Sequence, residues 1–275
     1  MERTPRKGSF RRSRPVRALV SIPVHNEERH VRAVLDRVMR HAGNVLVVDD
    51  GSTDRTPEVL KQYPVDVIRH AVNRGYGRSI RDAFMWAAAD GYDWVVTMDM
   101  DTQHEPEAIP EFLDAAARNG VDIISGSRYM GVADGTLNER SPFAPPADRR
   151  AINTAVTEEL NDRLGGALGV PLTDAFCGFK AHRVEAMKSL NLDVDGYAFP
   201  MQFWVQAAAK KLRVREIPVA LIYNDLTRTF GGPLDDPTTR LAHYREVMHR
   251  EIRRVAGELP ARASAGMHAT CCCRA

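Results

Sequence analysis

The sequence predicts an α/β protein with a Rossmann-like, mostly parallel central sheet and helices on both faces. Strand-length apolar runs alternate with helical patterns along the first half of the chain. Each run is continuously apolar, which is typical of parallel strands that are buried on both faces. With 275 residues, 44% of them hydrophobic, the chain is long enough to bury such a sheet.

The first half predicts five strands with a helix between each pair. The strands cover residues 18–24, 44–50, 65–70, 92–98 and 121–129. The helical patterns run from Glu27 to about Arg40, from the turn before Pro57, from the glycine-rich stretch "NRGYGRS", and through "EPEAIPEFLDAAARNG". Each helix returns the chain to the starting edge of the sheet, so consecutive strands are expected to run parallel.

The second half is less regular and is rich in turns at two places. A Gly- and Pro-rich loop is predicted over residues 130–148, and a turn-rich segment over 229–237. Helices are predicted through residues 152–164, after Pro200, and through the basic stretch 240–254, and a strand over 215–223. We therefore expect a basic disordered tail at 1–15, one domain at 16–235, an amphipathic helix at 236–257 and a disordered tail at 258–275.

Charge and cysteine content exclude several classes of protein. A net charge of +2 is too small to indicate nucleic-acid binding by the whole chain. No signal-peptide pattern follows the basic start, and no apolar stretch is long enough to span a bilayer. Cys177 stands alone and Cys271–Cys273 are adjacent, so neither a disulfide framework nor a zinc site is expected. We interpret the protein as cytoplasmic.

Three of the predicted strands end in clusters of polar residues. The clusters are Pro23–Glu27, Asp49–Ser52 and Asp99–His104. In parallel sheets, ligands bind at the carboxyl ends of the strands, so these clusters are expected to meet in one site. Their carboxylates and glycines indicate a nucleotide or phosphate ligand, together with a divalent cation.

Asp99 and Asp101 follow the fourth predicted strand one residue apart. In an extended segment, alternate side chains point to the same side, so both carboxylates could bind one hard cation such as Mg²⁺ or Mn²⁺. Gln103 lies on the same side and offers a third oxygen, and His104 is interpreted as a hydrogen-bonding residue of this loop. The alternative is that the two aspartates cap the following helix.

Two other stretches carry candidate ligand contacts. In "VVDDGSTDRT", Asp49 or Asp50 could accept a hydrogen bond from a base or a ribose, and Gly51 allows close approach of the backbone. In "NRGYGR", the glycines up to Gly77 could surround a phosphate, with Arg78 as the countercharge. Helix capping and an ordinary helix start are the respective alternatives.

Taken together, these motifs resemble the family 2 glycosyltransferases, which have the A-type glycosyltransferase fold. The resemblance rests on "SIPVHNEE", "VVDDGSTDRT", "NRGYGRSIRDAF", "MDMDTQHEPEAIPEF", "GSRY" and "TDAFCGFKAHR", in family order over residues 16–223. Within the family the chain is most similar to the dolichol-phosphate or polyprenyl-phosphate mannose (or glucose) synthases. The resemblance implies that residues 16–235 form the catalytic domain.

The resemblance also implies a role for each matching residue. Asp99, Asp101 and Gln103 would hold Mg²⁺ or Mn²⁺. Contacts to the nucleotide sugar would come from Pro23, Asn26, Glu27, Asp50, Gly77, Arg78, Asp99 and Met100. Arg128 would bind an acceptor phosphate with Arg149 or Arg150, and Asp174 would lie near the reacting carbon.

The implied reaction is a metal-dependent transfer, with inversion, from a donor of the GDP-mannose or UDP-glucose type to a polyprenyl phosphate. Such an acceptor oxygen is already anionic and needs no strong base, which agrees with Gln202 at a position where relatives tend to have glutamate. Two alternatives stay open: a soluble sugar or small-molecule hydroxyl as acceptor, with Asp174 as the base, and a catalytically silent nucleotide-sugar binder.

Membrane contact is the remaining question raised by the resemblance. Many relatives have C-terminal membrane helices, and this sequence predicts none. Contact with a membrane surface would then rely on the basic tail or on the basic helix 240–254. The alternative for that helix is a solvated basic face whose other side packs on the domain.

Overall fold

The structure is a computed structural model that describes residues 16–118, 120–130, 146–225 and 229–267. Its seven strands are β1 (Ala18–Val24), β2 (Val45–Asp49), β3 (Asp66–Arg69), β4 (Trp94–Thr97), β5 (Ile123–Ser127), β6 (Lys180–Arg183) and β7 (Val214–Pro218). They form one sheet in the order β3-β2-β1-β4-β6-β5-β7. β6 runs antiparallel to β4 and β5, and the other neighbouring pairs are parallel. The predicted mostly parallel sheet is confirmed.

Eight α-helices accompany the sheet within the described residues. They are α1 (Val31–Val38), α2 (Thr56–Leu60), α3 (Tyr76–Ala89), α4 (Ile109–Ala117), α5 (Ala147–Leu164), α6 (Val184–Met187), α7 (Phe199–Ala209) and α8 (Pro237–Arg254). Short 3₁₀ turns precede α4 and α8 and follow α8. No helix of the described segments is long and apolar enough to cross a membrane.

The sheet separates two apolar layers, as helices on both faces require. Alternate residues of β1 and β2 point to opposite sides: Leu19 and Leu46 enter one layer, and Val20 and Val47 the other. The first layer packs against α3, α5, α7 and α8, and the second against α1 and α4. Buried apolar area on both faces is the main source of stability in such a sheet.

Several elements are shorter than the sequence pattern predicted. α1 begins only at Val31, because residues 26–30 form turns in which Asn26 has a φ of 56° and the carbonyl of Glu27 accepts from the N–H of His30. β7, at the edge of the sheet, ends at Pro218, five residues before the predicted end. The four-residue α6 was not predicted from the sequence.

The C-terminal boundary also differs from the prediction. A 3₁₀ turn at Ala261–Ser264 packs on α5, with Ala263 1% exposed and its carbonyl accepting from Nη1 of Arg163 at 3.2 Å. The expectation of a disordered tail from residue 258 is therefore wrong for residues 258–267. The predicted N-terminal tail, most of the Gly- and Pro-rich loop, and Cys271–Cys273 lie outside the described residues.

Candidate active site

The loops that carry the predicted site residues meet at the carboxyl edge of the sheet. Strand pairing aligns Val24 with Asp49 and Asp49 with Arg69, so the loops after β1, β2 and β3 are neighbours. β4 pairs with β1 and ends in the same direction. Because β6 runs antiparallel to β4, the segment "TDAFCGF" before β6 reaches this edge as well. The three polar clusters and the "TDAFCGF" segment are thus brought together.

Asp99 and Asp101 lie in a tight loop directly after β4. The N–H of Asp99 donates to Nδ1 of His104 at 3.0 Å, and the N–H of Gln103 donates to Oδ1 of Asp101 at 3.0 Å. Thr102 has a φ of 62°, in the left-handed region, and its hydroxyl donates to the carbonyl of Asp101. The loop therefore has its own hydrogen bonds, and the helix-cap alternative fails because α4 shows no side-chain cap.

The positive charges near Asp99 are too few to stabilise its carboxylate as an anion. Burial raises its pKa, Asp101 raises it further, and the opposing charges of Arg128 and Lys180 do not compensate. A divalent cation beside the two carboxylates would supply the missing charge, and oxygen donors suit Mg²⁺ or Mn²⁺.

The ligand set for such a cation is incomplete by protein groups alone. Among the described residues, no cluster of three His, Cys, Asp or Glu side chains could hold a metal ion. A cation held by Asp99 and Asp101, with the Gln103 amide as a third oxygen, would keep positions for substrate phosphates, as Mg²⁺ sites usually do. The residues present therefore fit a cation that is shared between protein and ligand.

Gly178 leaves the space that the Asp99 carboxylate occupies. A Cβ built at residue 178 would lie 2.7 Å from Oδ2 and 2.9 Å from Oδ1 of Asp99. These distances are shorter than an ordinary contact between carbon and oxygen. The glycine of "CGFK" is therefore required by the position of a predicted metal ligand.

His104 is a buried residue that bonds to the backbone of this loop. It is 5% exposed, its ring lies 5.3 Å from that of Phe179, and its Nε2 lies 4.0 Å from Sγ of Cys177. The N–H of Asp99 donates to Nδ1, so the ring is neutral and carries its proton on Nε2. The predicted hydrogen-bonding role is confirmed.

Arg128 and Asp174 form a buried ion pair at the centre of the site. Nε and Nη2 of Arg128 donate to Oδ2 and Oδ1 of Asp174 at 2.7 and 3.0 Å. The N–H groups of Arg128, Phe176 and Cys177 donate to the same carboxylate at 3.1–3.2 Å. Burial raises the pKa of Asp174, and Arg128 outweighs burial, so the pKa lies below its usual range. Asp174 is held as a carboxylate with five donors.

Lys180 is a charged group of the site that the sequence reasoning missed. It is 6% exposed, its Nζ donates to the carbonyl of Cys177, and it lies 5.5 Å from the centre of the Trp204 ring. Burial lowers its pKa, although Cys177 and Asp174 oppose this effect. A lysine inside the short apolar stretch before "AHR" was the available signal, because lysine is almost never fully buried without a partner.

Asp50 holds the glycine-rich turn in place. Its Oδ1 accepts from the N–H of Arg74 at 2.7 Å, and its Oδ2 accepts from the N–H of Gly75 at 2.8 Å. Gly75 has a φ of 99°, and a Cβ there would lie 2.4 Å from the carbonyl oxygen of Asp195. The Asp50 carboxylate, expected to contact the base, thus binds the protein backbone.

His70 links Asp50 to helix α3. Nδ1 of His70 lies 2.6 Å from Oδ1 of Asp50, and Nε2 lies 2.8 Å from Oδ2 of Asp82. Carboxylate oxygens therefore lie within hydrogen-bond distance of both ring nitrogens of His70. Asp82 also accepts from Nε of Arg78 at 2.8 Å. Arg78, expected to balance a phosphate, is therefore paired within its own helix.

Gly77 serves helix packing in this structure. A Cβ at this position would lie 2.2 Å from the carbonyl oxygen of Val194 and 2.8 Å from Cβ of Phe199. The absence of a side chain lets α3 approach the segment before α7. The contact of Gly77 with the nucleotide sugar stays a prediction, and the structure adds a packing reason for this glycine.

The residues after β1 connect two loops of the site. Oδ1 of Asn26 accepts from the N–H of Thr53 and Asp54 at 2.8 and 3.2 Å, and Oε2 of Glu27 lies 2.6 Å from Nδ1 of His30. A cavity of about 650 Å³ opens beside these loops. Its lining consists of Gly51, Ser52, Thr53, Asp54, Glu58, Arg69, His70 and Ala71. This volume lies in the range of small-molecule pockets.

The remaining predicted contacts differ in their exposure. Pro23 lies near the end of β1 and is half-buried, whereas Met100 is 2% exposed and its side chain packs in the α1 and α4 layer. Met100 can therefore face a ligand only with its backbone. Arg150 is exposed in the first turn of α5, and Cζ of Arg149 lies 4.8 Å from the centre of the Phe230 ring.

Gln202 lies in a buried network and not at the reacting position. Its Oε1 accepts from the N–H of Asp193 and Val194 at 2.8 and 2.9 Å, and its Nε2 donates to Oε2 of Glu251 at 3.0 Å. The other oxygen of Glu251 accepts from Gln206. The amide thus joins α7 to α8 by hydrogen bonds.

Comparison with known proteins agrees with this arrangement. Residues 19–190 match the family described as Glycosyl transferase family 2. The chain is 31% identical over 242 residues to the undecaprenyl-phosphate mannosyltransferase of Micrococcus luteus, covering 83% of this chain and 94% of that protein. It is also 31% identical over 242 residues to the polyprenol monophosphomannose synthase of Mycolicibacterium smegmatis, covering 83% and 86% of the two chains.

The fold is similar to that of a solved A-type glycosyltransferase. Glucosyl-3-phosphoglycerate synthase from Mycobacterium tuberculosis, crystallised with Mn²⁺, UDP and glucosyl-3-phosphoglycerate, superposes with a TM-score of 0.64. The alignment covers 89% of this chain and 81% of that protein at 20% sequence identity. This likeness identifies the fold.

Proposed function

The chain belongs to glycosyl transferase family 2, and we propose that it transfers a sugar from a nucleotide diphosphate sugar to a polyprenyl phosphate. The two relatives at 31% identity are named for mannosyl transfer to polyprenyl phosphates. A donor of the GDP-mannose type is the first to test, and UDP-glucose is the second. The enzyme class follows from the family, whereas the acceptor and the donor are our proposal.

The hydrogen bonding and the ionised state of Asp174 favour a phosphate as the acceptor. A hydroxyl acceptor must lose a proton, and a general base needs a lone pair within reach of that proton. Asp174 accepts five hydrogen bonds, and Arg128 lowers its pKa, which makes it a poor base. Gln202 is buried between α7 and α8, and its amide cannot accept a proton from a hydroxyl. A phosphate monoester is already anionic and avoids the need for a base.

Positive charge at the site suits such an acceptor. Arg128 commits Nε and Nη2 to Asp174, so Nη1 remains to reach a phosphate oxygen. Arg149 and Arg150 lie in the first turn of α5, whose N-terminal N–H groups also favour anions. Arg128 is the proposed phosphate ligand, and Arg150 its exposed helper.

The proposed chemistry is a single displacement at the anomeric carbon, with inversion. A phosphate oxygen of the acceptor forms the new bond to that carbon, while the bond to the nucleoside diphosphate breaks and the diphosphate leaves with the electron pair. Asp99, Asp101 and Gln103 are proposed to hold Mg²⁺ or Mn²⁺, which would neutralise the charge of the leaving diphosphate. The nucleoside is proposed to bind in the cavity beside Ser52 and Thr53.

Two side chains near this cavity, those of Asp50 and Asn26, accept hydrogen bonds from backbone N–H groups. Asp50 fixes the glycine-rich turn and Asn26 fixes the loop after β2, so both are proposed to preorganise the donor site. Preorganised contacts cost no reordering when a ligand binds.

A membrane-borne acceptor requires contact with the membrane surface. α8 exposes Arg250 and Arg253 while its other side packs on α5 and α7, and Arg245 is paired with Glu159 of α5. We propose that Arg250 and Arg253 attract anionic lipid headgroups, each worth about 1 kcal/mol near a charged surface. Sedimentation of the full chain with vesicles of neutral and of anionic lipids would test this.

The test of the function is a transfer assay on the full-length protein. GDP-mannose and UDP-glucose are offered with undecaprenyl phosphate or with phosphoglyceric acid, in Mn²⁺ and in EDTA. We expect transfer to the lipid phosphate with one donor, loss of transfer in EDTA, and a loss of at least tenfold in Arg128→Ala, equivalent to about 1.4 kcal/mol. Transfer only to phosphoglyceric acid would establish that the acceptor is soluble. Donor binding without turnover would establish that the protein is a catalytically silent binder.

A further inference from the structure

The segment between α6 and α7 connects the C-terminal helix α8 with the glycine-rich turn. We call residues 191–195 the bridge segment. Its last residue contacts the start of α3: the carbonyl oxygen of Asp195 accepts from the N–H of Arg78 at 3.1 Å, and its Oδ1 accepts from Nη1 of Arg81 at 2.6 Å. A Cβ at Gly75 would lie 2.4 Å from the same carbonyl oxygen. The glycine-rich turn and the bridge segment are therefore in direct backbone contact.

The glycine-rich turn contacts residues of the cavity in which the nucleoside is proposed to bind. Asp50 accepts from the N–H of Gly75 at 2.8 Å, and Oδ1 of Asp50 lies 2.6 Å from Nδ1 of His70, which lines the cavity. Gly51 lines the cavity as well, and a Cβ there would lie 2.4 Å from the carbonyl carbon of Val72, which precedes the turn. A shift of the turn would therefore displace residues that line the cavity.

Gln202 of α7 holds the middle of the bridge segment. Its side chain is fully buried, and its Oε1 accepts from the N–H groups of Asp193 and Val194 at 2.8 and 2.9 Å. Its Nε2 donates to Oδ1 of Asp193 at 2.6 Å and to Oε2 of Glu251 in α8 at 3.0 Å. Because a buried backbone N–H without an acceptor is costly, the amide oxygen determines where this part of the segment can lie.

α8 anchors this amide and binds the bridge segment directly. Glu251 is 1% exposed and accepts from Gln206 and from Nε of Arg254, the latter at 2.9 Å. Nη1 of Arg254 donates to Oδ2 of Asp193 at 2.8 Å, and Nη2 donates to the carbonyl oxygen of Asn191. The bridge segment is thus held by α7 and α8 on one side and contacts the glycine-rich turn on the other.

We propose that Gln202 is a positioning residue for donor binding, which acts through the bridge segment on the glycine-rich turn beside the nucleoside cavity. The inference rests on the proposed function and assigns this buried amide a role in the affinity for the nucleotide. Each step, from Gln202 to Asp193 and from Asp195 to Arg78, is a hydrogen bond of 2.8–3.1 Å. Preorganised contacts cost no reordering on binding, so a loosened bridge segment weakens donor binding more than it slows the chemical step.

The experiment compares two buried glutamines of α7. Gln206 is 2% exposed and donates to the same carboxylate of Glu251, but its oxygen meets the bridge segment only in a hydrogen bond of 3.4 Å from the N–H of Asn191, at the opposite end from Asp195. Gln202→Met and Gln206→Met each remove one buried amide with little change of side-chain length. Both variants should lower the midpoint of thermal unfolding, because each removes a hydrogen bond to a buried carboxylate.

Binding of GDP and of UDP in the presence of Mn²⁺ is measured by calorimetry on the full-length proteins, at a temperature below all unfolding midpoints. Transfer to undecaprenyl phosphate is measured over a range of nucleotide-sugar concentrations. Gln202→Met should raise the Kd of the nucleotide that the wild type binds, and the KM of its sugar, about tenfold, because the displaced turn misplaces the cavity wall. Its kcat should fall less than about threefold. Gln206→Met should keep the Kd within about twofold of the wild-type value.

A second variant loosens the bridge segment from α8. The side chain of Arg254 is 32% exposed, and Arg254→Met removes the hydrogen bonds to Asp193 and Asn191. Because Gln202 still holds the segment, this variant should raise the Kd of the nucleotide about threefold. It takes the place of Gln202→Met in the comparison if that variant does not fold.

The outcomes separate this inference from the proposed function. A wild-type Kd in folded Gln202→Met, or in folded Arg254→Met where it takes that place, would overturn the positioning role. An equal rise of the Kd in Gln206→Met would also overturn it, because the effect would then come from general destabilisation. A wild type that binds nucleotide but transfers no sugar to undecaprenyl phosphate would refute the proposed acceptor, whereas a tenfold rise of the Kd confined to Gln202→Met would still support the positioning role.

Discussion

Replacing Gly178 by alanine should weaken divalent-metal binding without unfolding the protein. The new Cβ would lie 2.7 Å from Oδ2, 2.9 Å from Oδ1 and 3.1 Å from Cγ of Asp99. Carbon and oxygen normally stay at least about 3.3 Å apart, so the carboxylate has to move by roughly 0.6 Å. Metal–ligand distances tolerate only about 0.2 Å, and the displaced Asp99 therefore leaves its bonding position.

The expected loss is in metal affinity. Disturbing the surroundings of a metal ligand typically costs about 10- to 100-fold in affinity, which corresponds to about 1.4–2.8 kcal/mol. Calorimetric titration of Mn²⁺ into the protein with saturating GDP or UDP would measure it. Thermal unfolding of the variant should stay close to that of the wild type, because Asp99 is about one-third exposed and its carboxylate can move toward solvent.

Gly43 offers the matched control. A Cβ at Gly43 meets no atom within 4 Å, and its backbone is not in the left-handed region. Gly43→Ala should therefore bind Mn²⁺ and nucleotide as the wild type does. A folded Gly178→Ala protein with wild-type Mn²⁺ affinity would refute the reasoning, either because Asp99 is not a metal ligand or because Gly178 does not determine its position.

Three further predictions concern buried charges. Asp174→Asn should destabilise the fold by about 3–5 kcal/mol in urea unfolding, because it leaves the Arg128 guanidinium without its countercharge; a loss below about 1 kcal/mol would contradict the buried pair. His70→Phe should lower the free energy of unfolding by about 3–5 kcal/mol, because Asp50 and Asp82 lose the ring that bonds to both. Arg78→Ala, at a more exposed position, should lower it by less than about 1 kcal/mol, and equal losses in the two variants would argue against this role of His70. Burial, with Lys180, holds the pKa of His182 well below its usual value, so only the unfolded chain takes up a proton near pH 6.5. Because of His182, the free energy of unfolding should therefore fall by about 1.4 kcal/mol between pH 7.5 and 5.5. His182→Phe should remove this part of the pH dependence, and an unchanged pH dependence in the variant would refute the prediction.

The sheet and the position of the site could be predicted from the sequence because they depend on short-range patterns. A continuous apolar run such as residues 44–50 indicates a strand buried on both faces whatever its neighbours are. Asp99 and Asp101 come directly after such a run, so the carboxyl edge of a parallel sheet was their expected place. Even Gly178 belongs to a motif that the sequence displays, although its clash with Asp99 is visible only in three dimensions.

The partners of the charged residues were decided by the tertiary structure. Arg128 and Asp174 are 46 positions apart, and Gln202 and Glu251 are 49 apart, so no local pattern pairs them. The same holds for Asp50, whose carboxylate could have faced a base but binds the turn at Arg74 and Gly75 across 24 and 25 positions.

Residue type and spacing alone thus determined which groups are present at the carboxyl edge and that they can bind a cation and a phosphate. The protonation state of Asp174 and the buried position of Lys180 arise only when distant segments meet. Their properties depend on burial and on distances of 3–6 Å between residues far apart in sequence, and the electrostatic and packing energies change steeply over such distances. The chain pattern supplies the groups, and the packed fold decides which of them remain available for chemistry.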